Sequence, residues 1–187
     1  MNKSSFNVFN LIFLLVALSC KQPINIKKES WQQQFDDQLQ RSGHRNWILV
    51  VDKAFPQQPG MHMINTNEKL LPVLETVLIK INHSTHVKPV IYNDAELEYI
   101  NDSLAPGVIT YKQQLKKVLS GASVQSLLHD SVFIRMDKAA RLFSVTVLKT
   151  EEIIPYSSVF LELDCAYWGG DKEKQLRAIM KPDNNKQ

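Results

Sequence analysis

A histidine and an aspartate stand at the two ends of one apolar run near residue 50. His44 follows Gly43, the run "WILVVD" ends on Asp52, and Phe55 and Pro56 come soon after it. Histidine titrates near neutral pH and can take or give a proton, while a carboxylate can orient it or hold a hydroxyl group. A six-residue strand at about 3.3 Å per residue spans roughly 20 Å. The two side chains therefore share a site only if the turn at Gly43 folds back over the strand, or if the site lies between subunits.

Other patterns in the sequence argue against several classes of function. The chain has no glycine-rich phosphate loop, no Gly-x-Ser-x-Gly and no Cys-x-x-Cys, so a nucleotide enzyme or a serine hydrolase is not supported. His83 and His86 lie three positions apart without further ligands at hand, and we expect no metal site there. We expect His62 in a loop near Asp52 and His129 at the surface. The chain has a formal charge of +3 but no block of Lys and Arg residues, and we therefore expect no nucleic-acid partner.

The first twenty residues have the features of a secreted, lipid-anchored protein. The apolar run 11–18 is too short to cross about 30 Å of hydrocarbon, and small residues precede Cys20. The ending "ALSC" resembles a bacterial lipobox, in which the cysteine is lipidated. We therefore predict a signal peptide over 1–19, a lipidated Cys20 with a tether to residue 28, and attachment to a membrane of the bacterial cell envelope, on its periplasmic or surface face. An ordinary secretory signal and a retained membrane anchor are the alternatives.

The rest of the chain alternates between helical and strand patterns. Ser30 precedes apolar residues that recur every four positions, which predicts a capped amphipathic helix. Asn67 and Thr110 are the predicted caps of two further helices. We predict strands in "WILVVD", "KPVIYN", "SVFIRM", "FSVTVLKT" and "SSVFLELD", and helices in "DAELEYINDSLA", "TYKQQLKKVLSG" and "DKAARL". This alternation predicts an α/β domain over 29–168, with a mostly parallel sheet covered on both faces and a polar tail over 169–187.

Three segments, in the same order and at similar spacing, resemble the RbsD/FucU family of D-ribose pyranases and L-fucose mutarotases. The first is Gly-His at 43–44 with "WILVVD" and "DKAFP", which has the Asp-x-x-Phe-Pro form of the fucose branch. The second is "FIRMDKAARLF", where Met136 stands in place of a tyrosine. The third is "PYSSVFLEL", where Tyr156 is present and Ser158 replaces an asparagine. The resemblance spans about residues 33 to 165 and is nearer to the fucose mutarotase branch.

This resemblance implies a three-layer α/β fold, with a mostly parallel or mixed sheet and helices on both faces. It implies a mutarotase or pyranase, which opens and recloses a monosaccharide ring by acid–base catalysis and needs neither a cofactor nor a metal. His44 and Asp52 would be catalytic, and Tyr156, Ser158 and Lys138 would bind a fucose- or ribose-like sugar. Family members form rings of five or ten subunits with sites at the interfaces. The resemblance therefore favours a homo-oligomer in which His44 of one subunit meets Asp52 and Tyr156 of the next.

The substitutions at Met136 and Ser158 leave a second interpretation open. Neither side chain replaces the hydrogen bonds of the tyrosine or the asparagine that the family has there, and each missing neutral hydrogen bond lowers affinity by about 0.5–1.5 kcal/mol. The alternative is a non-catalytic sugar-binding or structural lipoprotein of the envelope that keeps the fold.

Overall fold

The computed structural model describes residues 29–180, which form a mixed sheet with helices on both faces. The strands are β1 (Trp47–Val51), β2 (Met61–Asn65), β3 (Val87–Asp94), β4 (Val124–Leu127), β5 (Val145–Lys149) and β6 (Val159–Cys165). The helices are α1 (Trp31–Arg41), α2 (Leu70–His83), α3 (Val108–Val118), α4 (His129–Ala140) and α5 (Gly170–Ile179), with a 3-10 helix at Ala95–Tyr99. The predicted signal peptide, the lipidated Cys20 and the tether lie outside the described residues.

The order of the strands across the sheet is β2-β5-β1-β6-β3-β4. β1 and β2 both pair parallel with β5, and β3 pairs parallel with β4. β6 is antiparallel to both of its neighbours, β1 and β3. Five strands therefore point the same way, and their carboxyl ends share one edge of the sheet with the amino end of β6.

Two apolar cores lie on opposite faces of this sheet. On one face, α1, α2 and α3 cover the even-numbered residues of β1, with Phe35, Leu74 and Val108 fully buried. On the other face, α4 covers the odd-numbered residues of β1, with Val132 and Met136 fully buried. The alternation of side chains along a strand thus supplies both cores, and β1 itself is buried along its whole length. The predicted three-layer α/β architecture is confirmed.

The helix starts confirm one predicted cap and correct two. Ser30 and Gln33 form a complete capping box at the start of α1, as the sequence indicated. Asn67 does not cap α2, because it adopts a left-handed backbone (φ 57°) two residues before the cap position of Lys69. Thr110 lies inside α3, which begins after Gly107, a glycine in the left-handed region (φ 88°).

The largest correction concerns the predicted strand "SVFIRM", which lies wholly within α4 and forms half of it. Val132 and Met136 are fully buried and four positions apart, while Ile134 between them is 71% exposed, which is helical and not strand spacing. The predicted helix "DKAARL" only continues α4. "DAELEYINDSLA", which was predicted to be a helix, forms no α-helix. Its only helical part is the short 3-10 helix at Ala95–Tyr99.

Two strands were not expected from the sequence. β2 and β4 are the two edges of the sheet, and of their nine residues only Ile64 is fully buried in a core. His62 lies on β2 and not in a loop. Edge strands have one partner strand and more exposed side chains, so their hydrophobic pattern is weak.

The C-terminal segment beyond β6 forms α5, whose residues are not buried against the domain. Residues 181–187 lie outside the described range. Among the helices of residues 29–180, none is both long and apolar enough to cross a membrane.

Candidate functional site

The carboxyl ends of β1, β3 and β4 meet the amino end of β6 at one edge of the sheet, which we call the carboxyl edge. The register places Val159 beside the ends of β1 and β3. Asp52 directly follows β1, Asp94 ends β3, and Ser158 directly precedes β6. Ligands of open α/β sheets bind outside the carboxyl ends of the strands. This edge is therefore the candidate site.

Asp52 and Ser158 form the first polar pair of the carboxyl edge. Ser158 Oγ donates a hydrogen bond of 3.0 Å to Asp52 Oδ2 and accepts one of 3.2 Å from the Asp52 backbone N–H. The backbone N–H of Ala54 donates to Asp52 Oδ1 at 2.8 Å. Ser158 is buried and Asp52 is half-buried. The carboxylate is therefore held in one orientation by two donors and remains open to solvent on one side.

His129 and Asp94 form the second pair. His129 is the first residue of α4, and its Nδ1 lies 3.1 Å from Asp94 Oδ2. The Asp94 side chain is completely buried, while that of His129 is 40% exposed. The backbone N–H of His129 is bound by both carboxylate oxygens of Glu96, at 3.0 and 3.1 Å. An exposed imidazole is thus anchored at its backbone and at one ring nitrogen.

Aromatic rings surround this imidazole. The Tyr156 ring meets it edge-on at 5.3 Å between centroids, and the Phe133 ring lies at 4.6 Å. Phe55 extends the cluster behind Phe133, at 5.7 Å. Tyr156 is 38% exposed and has a left-handed backbone (φ 57°), which costs a non-glycine residue about 1–2 kcal/mol. Strain of this kind collects at functional sites, and here it points an accessible ring toward the histidine.

The surroundings of Asp94 at the carboxyl edge change its ionisation. Burial raises the pKa of this carboxyl to about 6, and the hydrogen bond and charge of His129 oppose the rise. The nearby carboxylates of Glu96 and Asp52 add smaller upward contributions to the same pKa. A carboxyl that titrates this close to neutral pH, in contact with an exposed imidazole, is typical of acid–base sites.

A metal site and an open groove are two other kinds of site that could hold a ligand. Within residues 29–180, no three His, Cys, Asp or Glu side chains are arranged to hold a metal ion. An open groove of about 670 Å³ lies between α3 and β4, over Leu115, Leu119 and Val124, and contains none of the carboxyl-edge pairs.

Comparison with known proteins shows which solved structure has the same fold. No family model and no curated protein sequence matches the chain. The structure of RbsD from Bacillus subtilis, complexed with D-ribose, superimposes with a TM-score of 0.50 at 20% identity, over 69% of this chain and 89% of that one. The chain has the fold of RbsD.

Two further solved structures are similar, with lower TM-scores. The fucose mutarotase of Streptococcus pneumoniae in complex with L-fucose gives 0.45 at 15% identity, over 67% of this chain and 87% of that one. FucU from Bifidobacterium longum gives 0.47 at 15% identity, over 70% of this chain and 92% of that one.

The RbsD fold brings three of the predicted site residues together. Asp52, Ser158 and Tyr156 all lie at the carboxyl edge, although the sequence separates the first from the others by more than a hundred positions. Met136, which stands in place of a tyrosine in the resemblance, is instead fully buried under α4. Met136 therefore belongs to the core on this face and takes no part in the exposed polar pairs.

His44 and Lys138 lie away from the carboxyl edge within one chain. The turn that carries His44 stays at the amino end of β1, since Arg45 N–H donates to Leu163 O, near the carboxyl end of β6, at 2.7 Å. The turn does not fold back over β1. The first of the two expected arrangements, in which His44 and Asp52 share a site within one chain, is therefore excluded. Lys138 is exposed, nine residues after His129 on α4, or about 14 Å along the helix.

His129 and Asp94 are the site residues that sequence reasoning missed. His129 was expected at the surface before a strand, but it begins a helix at the carboxyl edge. The signal available was topological: Asp94 ends β3 and His129 comes two positions after the end of β4, and both strands have their carboxyl ends at that edge. Only the correct assignment of β4 and α4 exposes that signal.

Proposed function

We propose that the protein is a monosaccharide mutarotase or pyranase that binds a fucose- or ribose-like sugar at the carboxyl edge. The observation that carries this proposal is the meeting of the Asp52–Ser158 and Asp94–His129 pairs beside the accessible Tyr156 ring, in the fold of a protein whose structure holds D-ribose. Oriented polar groups beside an aromatic wall suit a ligand with many hydroxyl groups and one apolar face.

The reaction requires one base and one acid. The base takes the proton of the anomeric hydroxyl, the bond between the anomeric carbon and the ring oxygen breaks, and the acid protonates that oxygen. The open aldehyde then recloses by the reverse steps, on the other face or through another hydroxyl. Imidazole serves both roles near neutral pH, and such general catalysis contributes about 10²–10⁴-fold to a rate.

We assign these roles to two histidines from two subunits. His129 lies within the carboxyl edge, and His44 would come from the amino edge of a neighbouring subunit in a homo-oligomeric ring of five or ten. Lys138 would lie on the same side as His44 of its own subunit and would reach the same neighbouring site as that histidine, because α4 runs from the carboxyl edge back toward the amino edge. Asp52 would hold a sugar hydroxyl next to the histidines, assisted by Ser158, and the Tyr156 ring would pack against the sugar.

The proposal also includes the location of the protein in the cell. With Cys20 lipidated, the enzyme would be held at the bacterial envelope and would meet sugars there. The substitution Cys20→Ser should release the protein from the membrane fraction of expressing cells. Retention of that variant with the membranes would contradict a lipid anchor.

The decisive experiment is exchange NMR on the purified mature chain, residues 21–187, with ribose, fucose and galactose. We expect exchange between ring forms of at least one sugar to be faster than in buffer. His129→Ala and His44→Ala should each abolish the acceleration. His83→Ala is the matched control, because His83 is exposed at the end of α2 and bonds only its own helix carbonyl of Ile79. No acceleration for any of the three sugars would refute the proposed reaction.

A second candidate function is sugar binding without catalysis. It is favoured by the Asp52 carboxylate, whose two oxygens already accept hydrogen bonds from Ser158 and Ala54 within the chain. Saturation-difference signals from a sugar, combined with an unchanged rate of ring exchange, would support this function over the first.

A further inference from the structure

Asp94 has an unusual environment for a carboxyl group. Its side chain is completely buried at the end of β3, and Oδ2 lies 3.1 Å from His129 Nδ1. Its other oxygen, Oδ1, is buried without a hydrogen-bond partner among the described residues. Buried polar atoms without partners are rare and each destabilises a protein by about 1–3 kcal/mol. A contribution to folding therefore does not explain why a carboxyl group lies here. Its one side-chain hydrogen bond within residues 29–180 is with His129, so its role is to be sought in that residue.

His129 is held so that only one of its ring nitrogens remains available. Its backbone is fixed by Glu96, and its ring packs against Phe133 and Tyr156. Nδ1 faces the buried Asp94, while Nε2 makes no hydrogen bond within residues 29–180. Because the side chain is 40% exposed, Nε2 is the atom that a ligand at the carboxyl edge can meet.

We propose that Asp94 is a positioning residue that holds neutral His129 as the Nδ1–H tautomer, so that Nε2 presents the lone pair that takes the proton from the anomeric hydroxyl. The catalytic half of this inference rests on the proposed mutarotase function. A carboxylate only accepts hydrogen bonds, so the nitrogen that faces it must carry the hydrogen. A neutral imidazole has one N–H, and the remaining nitrogen is then the base. Buried acceptors fix the tautomers of metal-bound histidines in the same way.

The proton balance of the step is simple. Nε2 gains the proton of the anomeric hydroxyl as the aldehyde forms, and the ring oxygen gains a proton from the second acid–base group. The resulting imidazolium carries hydrogens on both nitrogens and is stabilised by the negative charge of Asp94. On reclosure Nε2 returns its proton to the sugar, and the pair is restored with no net change.

The charges around Asp94 give the arrangement a defined pH range. His129 faces the carboxyl from α4, Glu96 from the 3-10 helix and Asp52 from the end of β1, and burial raises the Asp94 pKa to about 6. Above that pH the carboxylate enforces the Nδ1–H tautomer. When the pair takes up one more proton, it becomes either a carboxylate with an imidazolium or a carboxylic acid that donates to Nδ1 of a neutral imidazole. Nε2 carries a hydrogen in both forms, and the base is lost. Catalysis should therefore fall as the pH drops through about 6.

The tautomer can be read without any sugar. In ¹⁵N-labelled mature chain at pH 8, two-bond ¹⁵N–¹H correlation spectra should show His129 mainly as the Nδ1–H form, whereas free imidazole side chains favour Nε2–H. Asp94→Ala should shift His129 toward Nε2–H. Glu96→Gln is the matched control, because Glu96 binds the backbone of His129 and not its ring, and it should leave the tautomer unchanged. A wild-type His129 found mainly as Nε2–H would overturn the proposal whether or not the Asp94 variant folds.

The kinetic arm separates this inference from the proposed function. Asp94→Ala should lower the maximal rate of ring exchange at pH 7 by about 10²-fold with little change in the sugar concentration for half saturation. An unchanged rate in this variant would overturn the positioning role. If the wild-type chain accelerates no sugar, the proposed function fails, while the tautomer result still decides the role of Asp94.

Discussion

Ser158 and Asp52, which lies 106 positions earlier in the chain, form a reciprocal pair of hydrogen bonds at the carboxyl edge. Ser158 Oγ donates to the Asp52 carboxylate at 3.0 Å and accepts from the Asp52 backbone N–H at 3.2 Å. The pair forms because β1 and β6 are antiparallel neighbours, so that the residue after β1 meets the residue before β6. A serine hydroxyl thus joins two strand ends and orients the one candidate carboxylate that is open to a ligand.

Removal of this hydroxyl should affect both stability and binding. Ser158→Ala leaves the Asp52 N–H and carboxylate short of one partner each, and we expect the free energy of unfolding to fall by about 1–3 kcal/mol. Urea denaturation should show a lower midpoint with an unchanged slope. Ser158→Thr, which keeps a hydroxyl, is the control. Equal midpoints for the alanine variant and the wild type would mean that the pair contributes nothing to the fold.

Replacement of Tyr156 by glycine should leave the protein more stable than replacement by alanine. Its backbone has a φ of 57°, where a residue with a Cβ is strained and glycine is not. Both variants lose the ring that packs on His129. They differ in backbone strain, which favours glycine, and in the extra backbone entropy that glycine loses on folding, which offsets part of that gain. We expect Tyr156→Gly to unfold at a higher urea concentration than Tyr156→Ala, by about 1 kcal/mol, although both bind sugar more weakly. The reverse order of stability would show that the left-handed backbone is not present in solution.

Asp94 should make the protein less stable at neutral and basic pH. Its pKa is raised from 3.8 to about 6 in the folded state, so the folded protein holds this proton more tightly than the unfolded chain does. Stability therefore increases as the pH falls from about 6 to about 4, by about 3 kcal/mol from this group alone.

Asp94→Asn removes that titration and isolates its effect from those of other carboxyls. We expect the variant to be more stable than the wild type at pH 8 and the difference to vanish near pH 4, in chemical denaturation at both pH values. A difference that does not change with pH would contradict the raised pKa of Asp94.

The buried elements of the fold were predictable because their residue patterns are unambiguous. The apolar run of β1 is short and rich in β-branched residues, as a buried strand is. The Trp31, Phe35 and Leu39 stripe of α1 has polar residues at the intervening positions 33 and 37, which excludes a strand. "SVFIRM" fits both structures, because residues 132, 134 and 136 are all apolar, as in a strand, while residues 132 and 136 also lie one helical turn apart. Local sequence cannot choose between the two periods, and packing of α4 against the sheet decides for the helix.

The candidate site was predictable only in part, for a topological reason. Asp52, Tyr156 and Ser158 flank strands that the sequence identified, and the structure brings them together. His129 and Asp94 depend on β4, an exposed edge strand of four residues with little pattern of its own. Without β4 there is no reason to place the start of α4 beside the end of β3.

The domain boundary near residue 168 can be tested by truncation. α5 is not buried against the domain, so a chain that ends at Gly169 should unfold within about 0.5 kcal/mol of the full protein. Phe35→Ala, which removes a fully buried ring under α1, should by contrast destabilise by about 3–5 kcal/mol. A truncated chain that loses more than about 1 kcal/mol in urea denaturation would show that α5 packs on the domain or on a second copy.

The placement of His44 and Asp52 at opposite ends of β1 gives the sharpest test of the ring. If each site combines His44 of one subunit with Asp52 of the next, His44→Ala and Asp52→Asn should each be inactive alone. Mixed by co-refolding, the two variants should regain up to about a quarter of the wild-type rate, because random assembly leaves that share of interfaces with both residues intact. Recovery is measured by exchange NMR, with each variant refolded alone as the control. If mixing restores nothing while mixed oligomers form, the two residues do not share a site across subunits, and His129 must act without His44.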